Sequence, residues 1–179
     1  MTAYEDTATA APVGRSSRAT LLALTCLGQF MVLLDNTIVG AALPDMRQRL
    51  HTQLTGLQWI VDAYVLLVAM LLLSGGVLAD RFGRKRAYLA GVAVFTAASV
   101  LCSLAPSIGW LITGRVLQGI GAAALSPASL ALLASAYPLP QQRVKAIGLW
   151  AGISGIGLAA GPVAGGVLAE AFDCDEAGE

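Results

Sequence analysis

Five apolar runs divide the chain, at residues 20–43, 57–79, 87–105, 108–137 and 146–172. Each reaches the roughly 20 residues that a helix needs to cross about 30 Å of hydrocarbon. Outer-membrane strands would be about ten residues long and would alternate in polarity, and these runs do neither. Leu, Ala, Val and Gly fill them. Glycine is compatible with a helix here because a backbone in lipid has no water to bond instead. The pattern predicts an all-α integral membrane protein with about five transmembrane helices. Residues 1–18 are polar and are expected to form a disordered cytoplasmic tail, residues 19–172 the transmembrane region, and residues 173–179 an acidic tail.

Composition agrees with lipid as the solvent. The chain has 179 residues, 56% hydrophobic and 12% charged. A soluble domain carries about a quarter charged residues. The net charge of zero gives no reason to expect a nucleic acid partner. Three scattered cysteines, Cys26, Cys102 and Cys174, make no disulfide framework. No nucleophile–base pair, metal cluster or phosphate loop stands out, so an enzyme is disfavoured and neither metal nor cofactor is expected. His51 is alone in an outer loop, where solvation is the simpler reading. Gly155, Gly157 and Ala160 fit G-x-G-x-x-A with Asp175 beyond them, but a dinucleotide site needs a preceding strand. The basic residues before the first run fit a signal peptide, yet the run is too long and no small-residue cleavage site ends it.

Lysine and arginine orient the spans. With the N-terminus inside, the inner side holds eight: Arg15, Arg18, Arg81, Arg84, Lys85, Arg86, Arg143 and Lys145. The outer side holds two, Arg47 and Arg49. The positive-inside rule therefore predicts a multi-pass protein of the cytoplasmic membrane with its N-terminus inside. Five spans then put the C-terminus outside.

Besides Glu170 near the end of the fifth run, three charges sit within the runs themselves: Asp35, Asp62 and Arg115. Counted from the outer ends at 1.5 Å per residue, all three lie roughly 7–12 Å below the outer surface. Ionisable groups at that depth usually face a bundle interior or a wet cavity. Arg115 could instead snorkel to the headgroups. Against that, Arg115, Gln118, Gly119 and Ala122 are spaced i, i+3, i+4, i+7, which makes one polar, small-residue face. Low dielectric disfavours a charged carboxylate and a nearby arginine favours it. A carboxyl balanced between the two can change protonation as its surroundings change. The plainer alternative for Asp35 is a structural carboxylate paired with Arg115.

The stretch "GGVLADRFGRKRAYL" adds a motif. Gly76 would permit a close helix approach, Asp80 closes the second span, Gly83 permits a tight turn, and Arg84, Lys85 and Arg86 open the third. The order Gly76, Asp80, Arg81, Gly83, Arg84, Lys85 resembles the signature between helices two and three of the major facilitator superfamily. The run from Leu111 to Ala123 resembles the family motif L-x-x-x-R-x-x-Q-G-x-G-A-A, whose arginine is associated with proton coupling. Gly148, Gly157, Gly161, Pro162, Gly165 and Gly166 resemble the signature of its antiporters. Physically, Gly157, Gly161 and Gly165 form a groove without side chains, and Pro162 is expected to bend the helix. "LLDNTIVGAALP" resembles helix one of the fourteen-helix drug:proton antiporters, with Gly40 where Asn is common. Trp59, Asp62 and Tyr64 resemble their exporters of quaternary ammonium compounds. These resemblances span about Leu21 to Gly166.

The resemblance implies proton-coupled efflux of small lipophilic or cationic drugs, with the proton gradient as energy source. It implies Asp35 as the coupling or cation-binding carboxylate, Asp62 as a second recognition carboxylate and Arg115 as a tuning or relay group. The motif from Gly76 to Lys85 would be a conformational hinge. After Gly166 the resemblance ends. Such carriers work by two bundles of at least six helices, so the chain is expected to be an incomplete N-terminal bundle, inactive alone. Reconstitution into liposomes with an imposed pH gradient tests that expectation. The expected partners are the lipid bilayer, the substrates, and either the missing C-terminal half or a second copy. The competing reading is a non-transporting membrane interaction protein, or an inactive remnant, that pairs through its glycine-rich helix faces. In the incomplete-bundle reading the Gly157–Gly165 groove, the inner face of Arg115 and Asp80 are expected to lack the partners that the missing half of a full carrier would supply.

Overall fold

The computed structural model describes residues 15–49 and 54–176. Among the described residues there are five helices and no strand: α1 (Arg15–Arg49), α2 (Leu54–Phe82), α3 (Arg84–Ser103), α4 (Ile108–Ala136) and α5 (Pro140–Glu176). Each apolar run falls within one helix to within two residues at its ends. Five stretches are long and apolar enough to cross a membrane: Ser17–Gly40, Thr55–Phe82, Arg84–Ser103, Ile108–Ala136 and Pro140–Gly166.

The outer helices overrun the expected boundaries. Residues 15–18, placed in the N-terminal tail by polarity, begin α1. Residues 173–176, placed in the acidic tail, end α5. Apolarity marks the extent of lipid, whereas the backbone hydrogen bonds of a helix continue past it into polar sequence. Residues 1–14, 50–53 (with His51) and 177–179 lie outside the described residues.

α4 is the centre of the bundle. Half of its span is buried, against 22–28% of the other four. Its contact with α3 is backbone to backbone. A Cβ on Gly121 would lie 2.7 Å from the Phe95 nitrogen, and one on Gly91 2.8 Å from the Leu125 nitrogen. Only hydrogen at these positions permits that approach. Val32, Tyr64, Tyr88, Phe95, Ala122 and Leu125 fill the core that results. The outer surface is inverted relative to a water-soluble protein, with Leu73 83% exposed and Met70, Val77 and Val163 also exposed. Such a surface is stable only against an apolar solvent.

α2 passes to α3 through Gly83 alone, at φ 96. This is the left-handed region, open to glycine at no steric cost. The Gly83 carbonyl accepts the Ala87 amide at 3.0 Å and starts α3. α1 and α5 run parallel: Phe30 meets Gly157 and Thr37 meets Gly161, so both sets of numbers rise together.

Candidate functional site

Arg115 is only 1% exposed and lies at the centre of the bundle. A guanidinium buried this deeply must be paired, because an uncompensated charge in low dielectric costs several kcal/mol. Three helices meet that demand. From α1, Asp35 Oδ2 accepts from Arg115 Nη1 at 2.6 Å. One turn further along α4, Gln118 Oε1 accepts from the same nitrogen at 2.9 Å. From α2, the Ile60 carbonyl accepts from Nε at 3.4 Å, and the Tyr64 ring centroid lies 4.3 Å from the guanidinium carbon. Tyr64 thus adds a cation–π contact where water is excluded.

Gln118 knits the site together. Its Nε2 donates to Asp35 Oδ1 at 2.9 Å and to Ser99 Oγ on α3 at 2.8 Å. Its Oε1 accepts a second bond from the Cys102 thiol at 3.5 Å. The amide cannot be flipped: its oxygen must face a cation and its nitrogen a carboxylate. Both donors and both acceptor positions of the buried amide are therefore used. Ser99 in turn donates to the Phe95 carbonyl at 3.0 Å. The carboxylate receives bonds on both oxygens, from Arg115 and from Gln118.

The network has one open side. The Asp35 side chain is 22% exposed while its partner Arg115 is 1% exposed. Arg115 Nη2 is buried without a partner. The carboxylate is therefore accessible from that side, with the guanidinium behind it. Arg115 does not snorkel to the surface.

Asp62 is on the same level but not in this cluster. It lies two residues from both Ile60 and Tyr64, about 200° around α2 from the face they bury. Its residue is exposed, with Trp59 also exposed beside it. The Gly76–Lys85 motif forms a separate clasp at the other end of α2 and α4. Arg84 Nε donates to Asp80 Oδ1 at 3.0 Å, and Arg84 Nη1 donates to the Ala131 carbonyl of α4 at 3.2 Å. Arg81 stacks on neighbouring Phe82, and Lys85 is exposed. The closest approach of α2 to α4 falls one residue earlier than expected. A Cβ on Gly75 would collide with the Ala123 carbonyl, whereas one on Gly76 would rest 3.9 Å from Pro127.

The glycine stripe of α5 is covered from inside the chain. A Cβ on Gly157 would meet the Phe30 carbonyl at 2.9 Å and its ring at 3.0 Å, and one on Gly161 would collide with Thr37. Within this chain α1 covers Gly157 and Gly161, and Asp35 pairs with Arg115. The stripe through which a second copy would pair is thus buried. Gly165 is buried, Pro162 is held inside the continuous α5, and Gly148 and Gly166 face open space.

Gln118 was legible as part of the polar face of α4, but its bridging role was not. Ser99 and Cys102 carried one signal, small polar groups three residues apart on the face of α3 that meets α4. Tyr64 stood beside Asp62 in sequence and yet serves Arg115.

Long helices with apolar outer faces around a buried ion pair define a multi-pass membrane protein. Residues 25–174 match the Major Facilitator Superfamily, and the chain belongs to it. It is 46% identical over 158 residues to the multidrug resistance protein Stp of Mycobacterium tuberculosis, covering 88% of this chain and 29% of that protein. It is 46% identical over 155 residues to the methylenomycin A resistance protein of Bacillus subtilis, covering 87% of this chain and 33% of that one. It is 42% identical over 153 residues to the drug efflux pump JefA of Mycobacterium tuberculosis, covering 86% and 30% respectively. The chain thus spans about a third of the length of these curated relatives.

Proposed function

We propose that this chain forms the first bundle of a proton-coupled transporter that exports lipophilic or cationic drugs across the cytoplasmic membrane. The observation that carries the reading is the Asp35–Arg115–Gln118 network, a carboxylate held by a buried guanidinium and open on one side. The named roles of the relatives in multidrug resistance and drug efflux support the substrate class.

Asp35 is the coupling carboxylate. Protonation removes its charge and weakens the 2.6 Å bond from Arg115, while the guanidinium keeps Gln118, Ile60 and Tyr64. The α1–α4 contact therefore changes strength with protonation, and a cationic substrate competes with the proton for the same anion. Asp62 is a second recognition carboxylate on the exposed face of α2, and Arg115 tunes Asp35. The Asp80–Arg84 clasp to Ala131 is the conformational hinge. The glycine contact of α5 keeps that helix on α1 throughout. The remainder of the carrier supplies the second wall of the substrate path.

The test is a chimera in which this chain replaces the matching segment of the Bacillus subtilis methylenomycin A resistance protein. In everted vesicles energised with a pH gradient, the chimera should export a fluorescent lipophilic cation. Asp35→Asn should abolish that export with expression intact, and Asp62→Asn should change which cations are exported. Undiminished gradient-driven export by Asp35→Asn would leave the carboxylate a structural role only. The proposed N-inside orientation predicts that an impermeant thiol reagent labels Cys174 in intact cells; labelling only after permeabilisation contradicts it.

A further inference from the structure

α1 and α5 begin at the same face of the bundle, because they run parallel and pack through Phe30–Gly157 and Thr37–Gly161. The span of α1 begins at Ser17 and that of α5 at Pro140. Arg18 and Arg143 are therefore one and three residues inside the apolar boundary, a depth of roughly 1.5–5 Å at helical rise. Headgroup phosphates lie just outside that boundary, within reach of an arginine side chain that extends toward the interface.

Tyr137, at the end of α4, joins the two. Its hydroxyl donates to the Arg18 carbonyl at 3.2 Å, and Arg143 Nε donates to the Tyr137 carbonyl at 3.2 Å. With Nε anchored, the exposed end of the Arg143 guanidinium is left with its terminal donors for another acceptor. Arg18 Nε is buried and has no partner. A buried donor left unmade costs about 1–3 kcal/mol. Lys145 is exposed two residues beyond Arg143, about 200° further round α5. Among the described residues the ion pairs are Arg84–Asp80 and Arg115–Asp35, so no described carboxylate neutralises Arg18 or Arg143.

We propose that Arg18 and Arg143 form a binding site for the headgroup phosphate of an anionic phospholipid, with Tyr137 holding the two residues together at this face. The planar forks of arginine suit phosphate oxygens. A zwitterionic headgroup brings its own ammonium to a site that already holds two cations, so the site selects anionic lipid. Basic pockets between helices at a membrane face are the places where such headgroups are held. The inference is independent of which side of the membrane this face occupies, and of the transport reading.

The test is native mass spectrometry of the 179-residue chain in detergent, titrated with phosphatidylglycerol or phosphatidylcholine. Phosphatidylglycerol should remain bound and phosphatidylcholine should not. Arg18→Gln and Arg143→Gln should each weaken retention about tenfold, the size of one charge-assisted hydrogen bond. Lys145→Gln should have a smaller effect. Arg143→Lys keeps the charge and the fold, and should still lose several-fold through loss of the fork. Arg86→Gln, which removes an exposed cation at the start of α3, should change nothing. Circular dichroism checks that each variant keeps its helix content. Equal loss in Arg86→Gln would reduce the effect to diffuse surface charge and overturn the site. Equal retention of phosphatidylcholine, or displacement of the lipid by millimolar inorganic phosphate, would overturn the assignment to an anionic lipid.

Discussion

α1 holds two neighbours by opposite means. Against α4 it offers Asp35, which meets Arg115 and Gln118 in a network of charged and amide groups. Against α5 it offers Phe30 and Thr37, which close onto Gly157 and Gly161 without any side chain between. The first contact contains a group that can gain or lose a proton. The second contains none: the Thr37 hydroxyl is turned back to the Leu33 and Leu34 carbonyls of its own helix. On the proposed coupling, one side of α1 responds to proton and ligand, and the other is fixed by shape. A carrier that couples proton to substrate needs both, since a helix that loosens on every side would unfold rather than move.

The comparison can be broken most severely at Arg115. Arg115→Ala should destabilise the bundle by about 3–5 kcal/mol, because it leaves the carboxylate without its cation. Reversible unfolding in mixed dodecyl sulfate micelles measures this. The double variant with Asp35→Asn should regain part of the loss. If the two single effects simply add, the pair is not coupled.

A smaller loss is expected on the shape-fixed side. Gly161→Val drives two methyl groups into Thr37 and should cost about 1–3 kcal/mol by overpacking. This loss should be the same at pH 5 and pH 8, since no titrating group lies in the contact. A pH-dependent loss would show that α5 shares in the polar network.

The smallest effect is expected at the exposed clasp. The Asp80–Arg84 pair is i, i+4 on a surface where the two side chains are 65% and 40% exposed. Asp80→Asn should therefore change stability by only about 0.2–1 kcal/mol. Its consequence should appear instead in the rate of conformational exchange, followed by a fluorophore pair across α2 and α4. An unchanged rate would remove the hinge role.

Much of this fold was legible because lipid imposes a single rule on length and polarity. The helix ends were less so: α1 runs from Arg15 to Arg49, well beyond the apolar residues 20–43, because hydropathy reports solvent and not hydrogen bonding. In the site, Asp35 and Arg115 stood out as charges among apolar neighbours. Ser99 and Cys102 did not, since small polar residues are common in membrane helices wherever they pack. Depth along a helix could be counted, which placed Asp62 level with the other two charges. Azimuth and helix neighbours could not be counted from one chain, and these set Asp62 apart and brought α1 rather than another chain to the glycine stripe.

The most direct measurement of the central claim is proton release on substrate binding. The purified chimera, in weakly buffered detergent with a pH-sensitive dye, is mixed with a lipophilic cation such as tetraphenylphosphonium. If Asp35 is the group for which cation and proton compete, the parent chimera releases protons, Asp62→Asn still releases them, and Asp35→Asn releases none while remaining folded. Release of the same number of protons by Asp35→Asn would contradict the account.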